Sequence, residues 1–405
     1  MTKYKNIAIA GVGVVGTEVL NYLQQNQKYI ANNCTNIVPI VKAISTRTER
    51  SINEVKWYNN PQKFFTHPDK IDLIVELIGG EDGVAHELIQ TALSQGIDVV
   101  TANKALIAKH GNQLHKLAQK NNAALHYEAS VGGAIPIIKT LSDNLATNEI
   151  SEISGILNGT CNFILSLMLD EDIDFDKALK LAQEKGYAEA DPTLDIDGID
   201  TAHKIAILSS IAFKTGINFN TVKISGIRDI KKSSLHIAKK LKHTIKLLAR
   251  TVLVDKQIYQ YVLPFFIPNS HPLSSVNLSL NSLFIKSNLA DTTVLTGHGA
   301  GGKPTASAII SDIGDVLKNH KIFKVDIAND FSYAENLNLS QKYILHTNSE
   351  KILNSVKDAL KSNDISIIKE DIIDKNYVII IESNKYNFIS NLENDYNIDG
   401  WFGIL

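Results

Sequence analysis

Over the first 130 residues, short apolar runs alternate with amphipathic stretches. Runs at 6–10, 37–44, 71–77, 97–101 and 124–128 predict strands. Segments 16–25, 82–95 and 112–120 predict helices, with a long loop over 28–36. This alternation predicts a parallel sheet with helices on both faces. The middle, about 129–319, is mixed: helical patterns at 162–169, 176–185 and 198–214 precede β-rich runs such as 259–266. From about 340 the rhythm changes. Strand 343–347, helix 349–362, strands 365–373 and 377–382, helix 386–393 and strand 400–405 give a βαββαβ order. The polar piece 326–338 is the expected linker. The pattern divides the chain into 1–130, 131–325 and 340–405, with 297–320 expected to pack back on the first part.

A length of 405 residues fits two or three such domains. The 41 basic and 43 acidic residues nearly cancel, so charge gives no case for a nucleic-acid partner. No apolar run approaches the roughly 18–20 residues of a bilayer span, so no membrane partner is expected. The start, MTKYKNIAIAGVGVVG, is broken by glycine and reads as a strand rather than a signal peptide. Cys34 and Cys161 are too few for a disulfide framework or a zinc site, and a reducing cytoplasm is the expected location.

Candidate chemistry starts at Gly11-Val-Gly13-Val14-Val15-Gly16, between a predicted strand and a predicted helix. Gly11 permits the tight turn, Gly13 lets the backbone approach a pyrophosphate, and Gly16 lets helix and strand pack, the pattern of a Rossmann dinucleotide site. The acidic residue that would hold a ribose hydroxyl is missing from the tip of the second strand. Ser45, Thr46, Arg47 and Arg50 stand there instead, and an arginine fork suits a 2′-phosphate, so NADP(H) is preferred over NAD(H). The plain alternative for Arg47 is a solvated loop charge. Gly79 and Gly80 close another strand and would let a loop lie against the nicotinamide ribose. Lys104 follows the next, at the carboxyl end of the sheet where open α/β folds bind ligands. Glu128 with the glycine turn after it reads either as a domain-crossing hinge or as a hard-cation site of one carboxylate and several carbonyls. Gly297-His-Gly299-Ala-Gly301-Gly302 opens another helix. No Gly-x-Ser-x-Gly elbow supports a serine hydrolase.

The densest stretch is 186–204. Glu189, Asp191, Asp195 and Asp197 crowd one loop, which feeds an apolar helix carrying Asp200 and Lys204 four residues apart on one face. On a surface such a pair would be worth only about 0.3–0.5 kcal/mol. Here the helix continues Ile-Ala-Ile-Leu, which predicts burial, and a lysine entering a buried helix needs a carboxylate partner.

Taken together, these residues resemble the homoserine dehydrogenase family. The resemblance rests on Ala182-x3-Gly186-Tyr-Ala-x2-Asp191-Pro-x2-Asp195-Ile-x-Gly198-x-Asp200-x3-Lys204, with 101–104, 128–136, Leu157-Asn158-Gly159-Thr160 and 299–302 in the family's order. It implies reduction of aspartate 4-semialdehyde to homoserine with NAD(P)H, on the route to threonine and methionine. It implies Lys204 as proton donor, with Lys104 assisting. Glu189 and Asp200 would hold the substrate ammonium, supported by Asp195. Gly186 and Gly301 would border the nicotinamide. A sodium-like ion would sit on Glu128 and the carbonyls of Val131, Gly133 and Ile135. A homodimer or homotetramer is implied, with 150–157 and 259–266 as candidate interface stretches.

The tail resembles an ACT domain, an amino-acid-sensing module, which implies threonine as an effector. Its usual acidic-x-Pro-Gly turn is replaced by Thr347-Asn348-Ser349-Glu350. The expected architecture is therefore α/β: a Rossmann domain, an α+β substrate and dimerisation domain, and a small ACT-like domain. Two rivals remain. Another nicotinamide enzyme would keep the Gly11 loop without needing 186–204. A catalytically dead sensor predicts erosion of Lys104, Glu189, Asp200 and Lys204, all of which are present.

Overall fold

The computed structural model describes residues 3–320 and 330–405. They form two compact units. The first takes the described residues up to Thr147, Ala206–Phe219, and those from Gly297 to His320; the second takes Asn148–Ile205, Asn220–Thr296 and Asp330–Leu405.

The first unit opens with β1 (Lys3–Ala10), α1 (Val14–Cys34), β2 (Ile37–Ser45), β3 (Lys56–Tyr58), β4 (Leu73–Glu76), α2 (Val84–Ser94), β5 (Asp98–Thr101), α3 (Lys104–Lys120), β6 (Leu125–His126) and the one-turn α4 (Ile137–Lys139). The sheet order is β3-β2-β1-β4-β5-β6, parallel throughout, that of a Rossmann fold. Ile7, Ile9, Leu73 and Val75 form its buried middle, as continuous apolar strands covered on both faces should. Two expectations need correction. The loop over 28–36 is instead helix as far as Cys34, past a non-helical Asn26, because Ile30 and Ala31 bury on the face begun by Val19 and Leu23. The helix expected at 112–120 begins already at Lys104, where the Asn103 side chain accepts from Leu106 N–H.

The chain continues through β7 (Ile150–Ile156), α5 (Gly159–Asp170), α6 (Phe175–Glu184), α7 (Thr193–Ile196), α8 (Ile199–Ala212), β8 (Lys223–Ile224), α9 (Lys232–Lys240), β9 (His243–Val254), β10 (Gln257–Pro268), β11 (Leu280–Ser287) and β12 (Asp291–His298). The next helix, α10 (Gly302–Leu317), lies in the first unit, where Ala306, Ile309 and Ile313 join the cluster of Val19 and Leu23. The expected linker lies outside the described residues as far as 329; its later part contributes β13 (Ser332–Tyr333), paired with β10. Then follow β14 (Gln341–Thr347), α11 (Glu350–Ser362), β15 (Ile367–Ile373), β16 (Asn376–Ser383), α12 (Tyr386–Tyr396) and β17 (Gly400–Ile404), the expected βαββαβ order.

One sheet runs through the second unit: β12-β11-β7-β9-β10-β17-β14-β16-β15, with β8 and β13 also on β10. The tail joins it where Phe265 and Phe266 pair with Gly403 and Ile404. Leu263 and Phe265 share a buried cluster with Tyr343, Leu345 and Trp401. The stretches 150–157 and 259–266 are therefore interior strands: β7 lies between β11 and β9, and β10 between β9 and β17.

Candidate active site

In the second unit the site grows from the starts of α5, α7 and α8. β7 ends at Ile156, and Asn158 caps α5, its Oδ1 accepting from Cys161 N–H at 2.8 Å. The Asn158 amide donates to Asp195 Oδ1 at 2.7 Å and to Asp200 Oδ2 at 3.0 Å. Lys204, one turn beyond Asp200 on α8, donates to Asp200 Oδ2 and to the Leu157 carbonyl, both at 2.6 Å. Both charged side chains are buried, Asp200 at 7% and Lys204 at 8% exposure, so this is no surface i,i+4 pair. An ammonium has three protons. Among the described residues two are used, which leaves one for an incoming acceptor.

The four loop carboxylates do not act as one cluster. Asp195 turns to Asn158. Asp191 accepts from Thr193 N–H at 3.1 Å and so closes the turn that leads into α7. Asp197 is held by Arg228 through both carboxylate oxygens. Glu189 is exposed, and no hydrogen bond or ion pair joins its carboxylate to Asp200 or Lys204 among the described residues. Gly186 ends α6 at φ +75°, with open space where a Cβ would stand.

In the first unit the expected cofactor residues follow the carboxyl ends of neighbouring parallel strands. Gly11 has φ +94°, and a Cβ there would meet the Leu77 carbonyl at 2.4 Å; one at Gly16 would meet the Gly11 carbonyl at 2.2 Å. Nothing lies within 4 Å of a Cβ at Gly13. Chain packing therefore demands the first and third glycines and leaves the second for a ligand. Val14 beside it is 78% exposed, Val15 follows, and no acidic residue stands in the first turn of α1. This cradle fits a dinucleotide pyrophosphate. Gly302 packs against Val14, its Cβ position 3.0 Å from that side chain, so the turn at Gly301 (φ +114°) stands beside the first glycine loop. Arg47 is exposed just past β2, without hydrogen bond or ion pair among the described residues.

Buried Glu76 ties two of these loops together. Its Oε1 accepts from Ile78 and Gly79 N–H at 2.6 and 3.1 Å, and its Oε2 accepts from the Thr101 hydroxyl at 2.5 Å. The Asn103 amide donates to the Gly80 carbonyl at 2.6 Å. The Gly79–Gly80 turn and the start of α3 at Lys104 are thus fixed as one piece.

At the expected ion site, the two Glu128 oxygens accept from Ile138 and Lys139 N–H, each at 2.8 Å. Burial, together with Asp312, pushes its carboxyl up to about 7, and a bound cation would reverse that shift. The buried residues Val131 and Gly133 follow, with Gly133 at φ +55°; among the described residues their carbonyls accept no hydrogen bond, whereas that of Ile135 accepts from Ile137 N–H at 2.8 Å. A carboxylate beside two unpaired buried carbonyls fits a hard monovalent cation. His126, Asp312 and Asp315 also converge, but there the Lys139 ammonium supplies the positive charge, 3.1 Å from Asp312 and 2.6 Å from Asp315.

Two family profiles match the chain: "Homoserine dehydrogenase, NAD binding domain" over residues 11–128 and "Homoserine dehydrogenase" over 136–313. The homoserine dehydrogenase of Lactococcus lactis is 38% identical over 322 residues, 78% of this chain and 75% of that protein. The Helicobacter pylori enzyme is 34% identical over 417 residues, 97% and 96% of the two chains. The chain belongs to the homoserine dehydrogenase family. The crystal structure of a homoserine dehydrogenase from Thiobacillus denitrificans superposes with a TM-score of 0.89 at 33% identity, covering 100% of this chain and 98% of that one. The protein is accordingly an oxidoreductase with homoserine dehydrogenase activity.

Within this homoserine dehydrogenase, sequence reasoning gave no role to Asn158, Glu76 or Arg228. An asparagine before a helix signals a cap, which describes only one of the three hydrogen bonds made by the Asn158 side chain. Spacing alone does not separate Asp195 from Asp197; in the structure the amide of Asn158 takes Asp195 and the guanidinium of Arg228 takes Asp197.

Proposed function

We propose that this enzyme reduces aspartate 4-semialdehyde to homoserine with Lys204 giving its third proton to the carbonyl oxygen. The observation that carries this reading is the buried ammonium, held by two acceptors at 2.6 Å. A bound nicotinamide cofactor supplies the hydride to the carbonyl carbon. Lys204 stabilises the developing alkoxide and protonates it; in the reverse direction the amine takes the hydroxyl proton. Asp200 holds the ammonium in place. Asp200 and Glu189 receive the substrate ammonium, with Asp195 supporting them, and Lys104 orients the substrate from the end of the cofactor sheet.

Gly11, Gly13, Val14, Val15, Gly16, Gly79, Lys104, Gly186 and Gly301 form the cofactor surroundings in this reading. NADP(H) is favoured over NAD(H): Arg47 stands at the tip of β2 with no acidic residue, and an archaeal homoserine dehydrogenase 28% identical to this chain is in complex with NADPH. A sodium-like ion on Glu128, Val131, Gly133 and Ile135 would fix the turn between 128 and 136. Cofactor binding falls to 1–130 and catalysis with dimerisation to 131–325, in a cytoplasmic homodimer or homotetramer. Region 340–405 is ACT-like, with threonine as its effector; the strand order β17-β14-β16-β15, antiparallel throughout, supports that reading.

Lys204→Ala tests the assignment. Turnover should fall by about 10²–10⁴, the range for losing a general acid, while cofactor binding, followed by fluorescence of the reduced form, stays at the wild-type value. An unchanged rate contradicts the assignment.

A further inference from the structure

One buried carboxylate of the first unit has no counter-ion. Glu76 ends β4 at 0% exposure, and no lysine, arginine or histidine pairs with it among the described residues. Its three hydrogen bonds all come from donors: Ile78 N–H, Gly79 N–H and the Thr101 hydroxyl. The Thr101 oxygen accepts from Asn103 N–H at 3.0 Å, so its own proton is turned to Glu76. A neutral carboxylic acid needs an acceptor for its proton, and none of these three partners serves as one. Glu76 is therefore a buried negative charge, a costly arrangement unless a positive group answers it.

Its place in the fold says which group that is. β4 lies beside β1 with Glu76 level with Ala10, and a Cβ on Gly11 would meet the Leu77 carbonyl. The end of β4 thus abuts the glycine loop. A Rossmann sheet is built from two mononucleotide-binding halves that meet at its first strand. In the reading above Arg47, just past β2, takes the adenosine side, so the nicotinamide half falls on the side of β4 and β5. A nicotinamide ring is neutral when reduced and positive once its hydride has left. We propose that Glu76 is the counter-charge of the oxidised nicotinamide ring. The site then holds the oxidised cofactor more tightly, relative to the reduced form, than shape alone would give, and favours hydride release to the aldehyde. The same hydrogen bonds fix the carboxylate between the Gly79–Gly80 turn and Thr101, so the charge is in place before the ring becomes cationic and costs no reorganisation. The proposal rests on the cofactor reading of the Gly11 loop and adds an electrostatic role to it.

Dissociation constants of the two cofactor forms on the full-length protein test it. NADPH is followed by its fluorescence, and oxidised NADP by competition against NADPH. Glu76→Gln keeps the size and one acceptor oxygen but removes the charge. It should weaken oxidised NADP by roughly tenfold relative to NADPH, the order of effect of one unit charge in a partly buried site. Glu76→Met removes the hydrogen bonds as well, so it should weaken both forms and change their ratio as Glu76→Gln does. Thr101→Val breaks the tie between the loops but leaves the charge, so it should keep the wild-type ratio. Melting curves check that each variant is folded, and either charge-free variant suffices for the comparison. A wild-type ratio in a folded charge-free variant, or the same altered ratio in Thr101→Val, overturns the proposal. Folded wild type that binds neither form contradicts the cofactor reading itself, and the proposal with it.

Discussion

Asn158 shows how one neutral side chain can organise a charged site. Its oxygen caps α5 and its amide spans Asp195 and Asp200, so both polar atoms of the side chain have protein partners. Asn158→Asp keeps the cap and the shape but points an oxygen at two carboxylates. Like charges this close push one carboxyl towards the neutral form. Misplacing Lys204 through Asp200 should then cost about 10²-fold in turnover, with the Michaelis constant for the cofactor unchanged. The loss should shrink as pH falls, because the introduced carboxyl, once protonated, can again donate. A pH profile of the variant parallel to wild type would argue against this positioning role. In the sequence the residue stood out only within the Leu157-Asn158-Gly159-Thr160 piece of the family resemblance. Its second use depends on acids 37 and 42 residues away, and only the fold brings these together.

At the scale of elements, the glycine loop was legible because its turn, helix start and close packing are local events. The structure adds which glycine serves which purpose. Gly11→Ala drives a Cβ into the Leu77 carbonyl at a φ that side chains rarely adopt, so it should lower the melting temperature. Gly13→Ala meets no protein atom within 4 Å, so it should leave melting unchanged and raise the Michaelis constant for the cofactor. Equal melting of the two variants would contradict this division. The extension of α1 to Cys34 was not legible, because residues 26–34 are rich in asparagine and poor in helix propensity. Burial of Ile30 and Ala31 overrides that preference. Charge partners across strands were hidden for the same reason: Glu152 on β7 meets Arg250 on β9 and Lys286 on β11. Burial opposes its charge, but these partners win and draw its carboxyl down to about 2.

Over the whole chain, the βαββαβ rhythm of the tail could be read from periodicity, but its attachment could not. The parallel pairing of β17 with β10 joins segments far apart in sequence, and no local pattern encodes it. Phe265 is fully buried, in a cluster that includes Tyr343 and Trp401. A chain truncated before Gln341 would uncover that cluster and the β10 edge together. It should aggregate on expression rather than yield a soluble enzyme that has merely lost an effector response; a soluble, active truncation would show the attachment to be dispensable.

The most direct test of the account is oxidation of L-homoserine by the purified protein, following the reduced nicotinamide by absorbance with NADP and NAD in parallel. Turnover is expected with both, faster with NADP, and with a difference that Arg47→Ala removes. Folded protein that turns over homoserine with neither cofactor would contradict it.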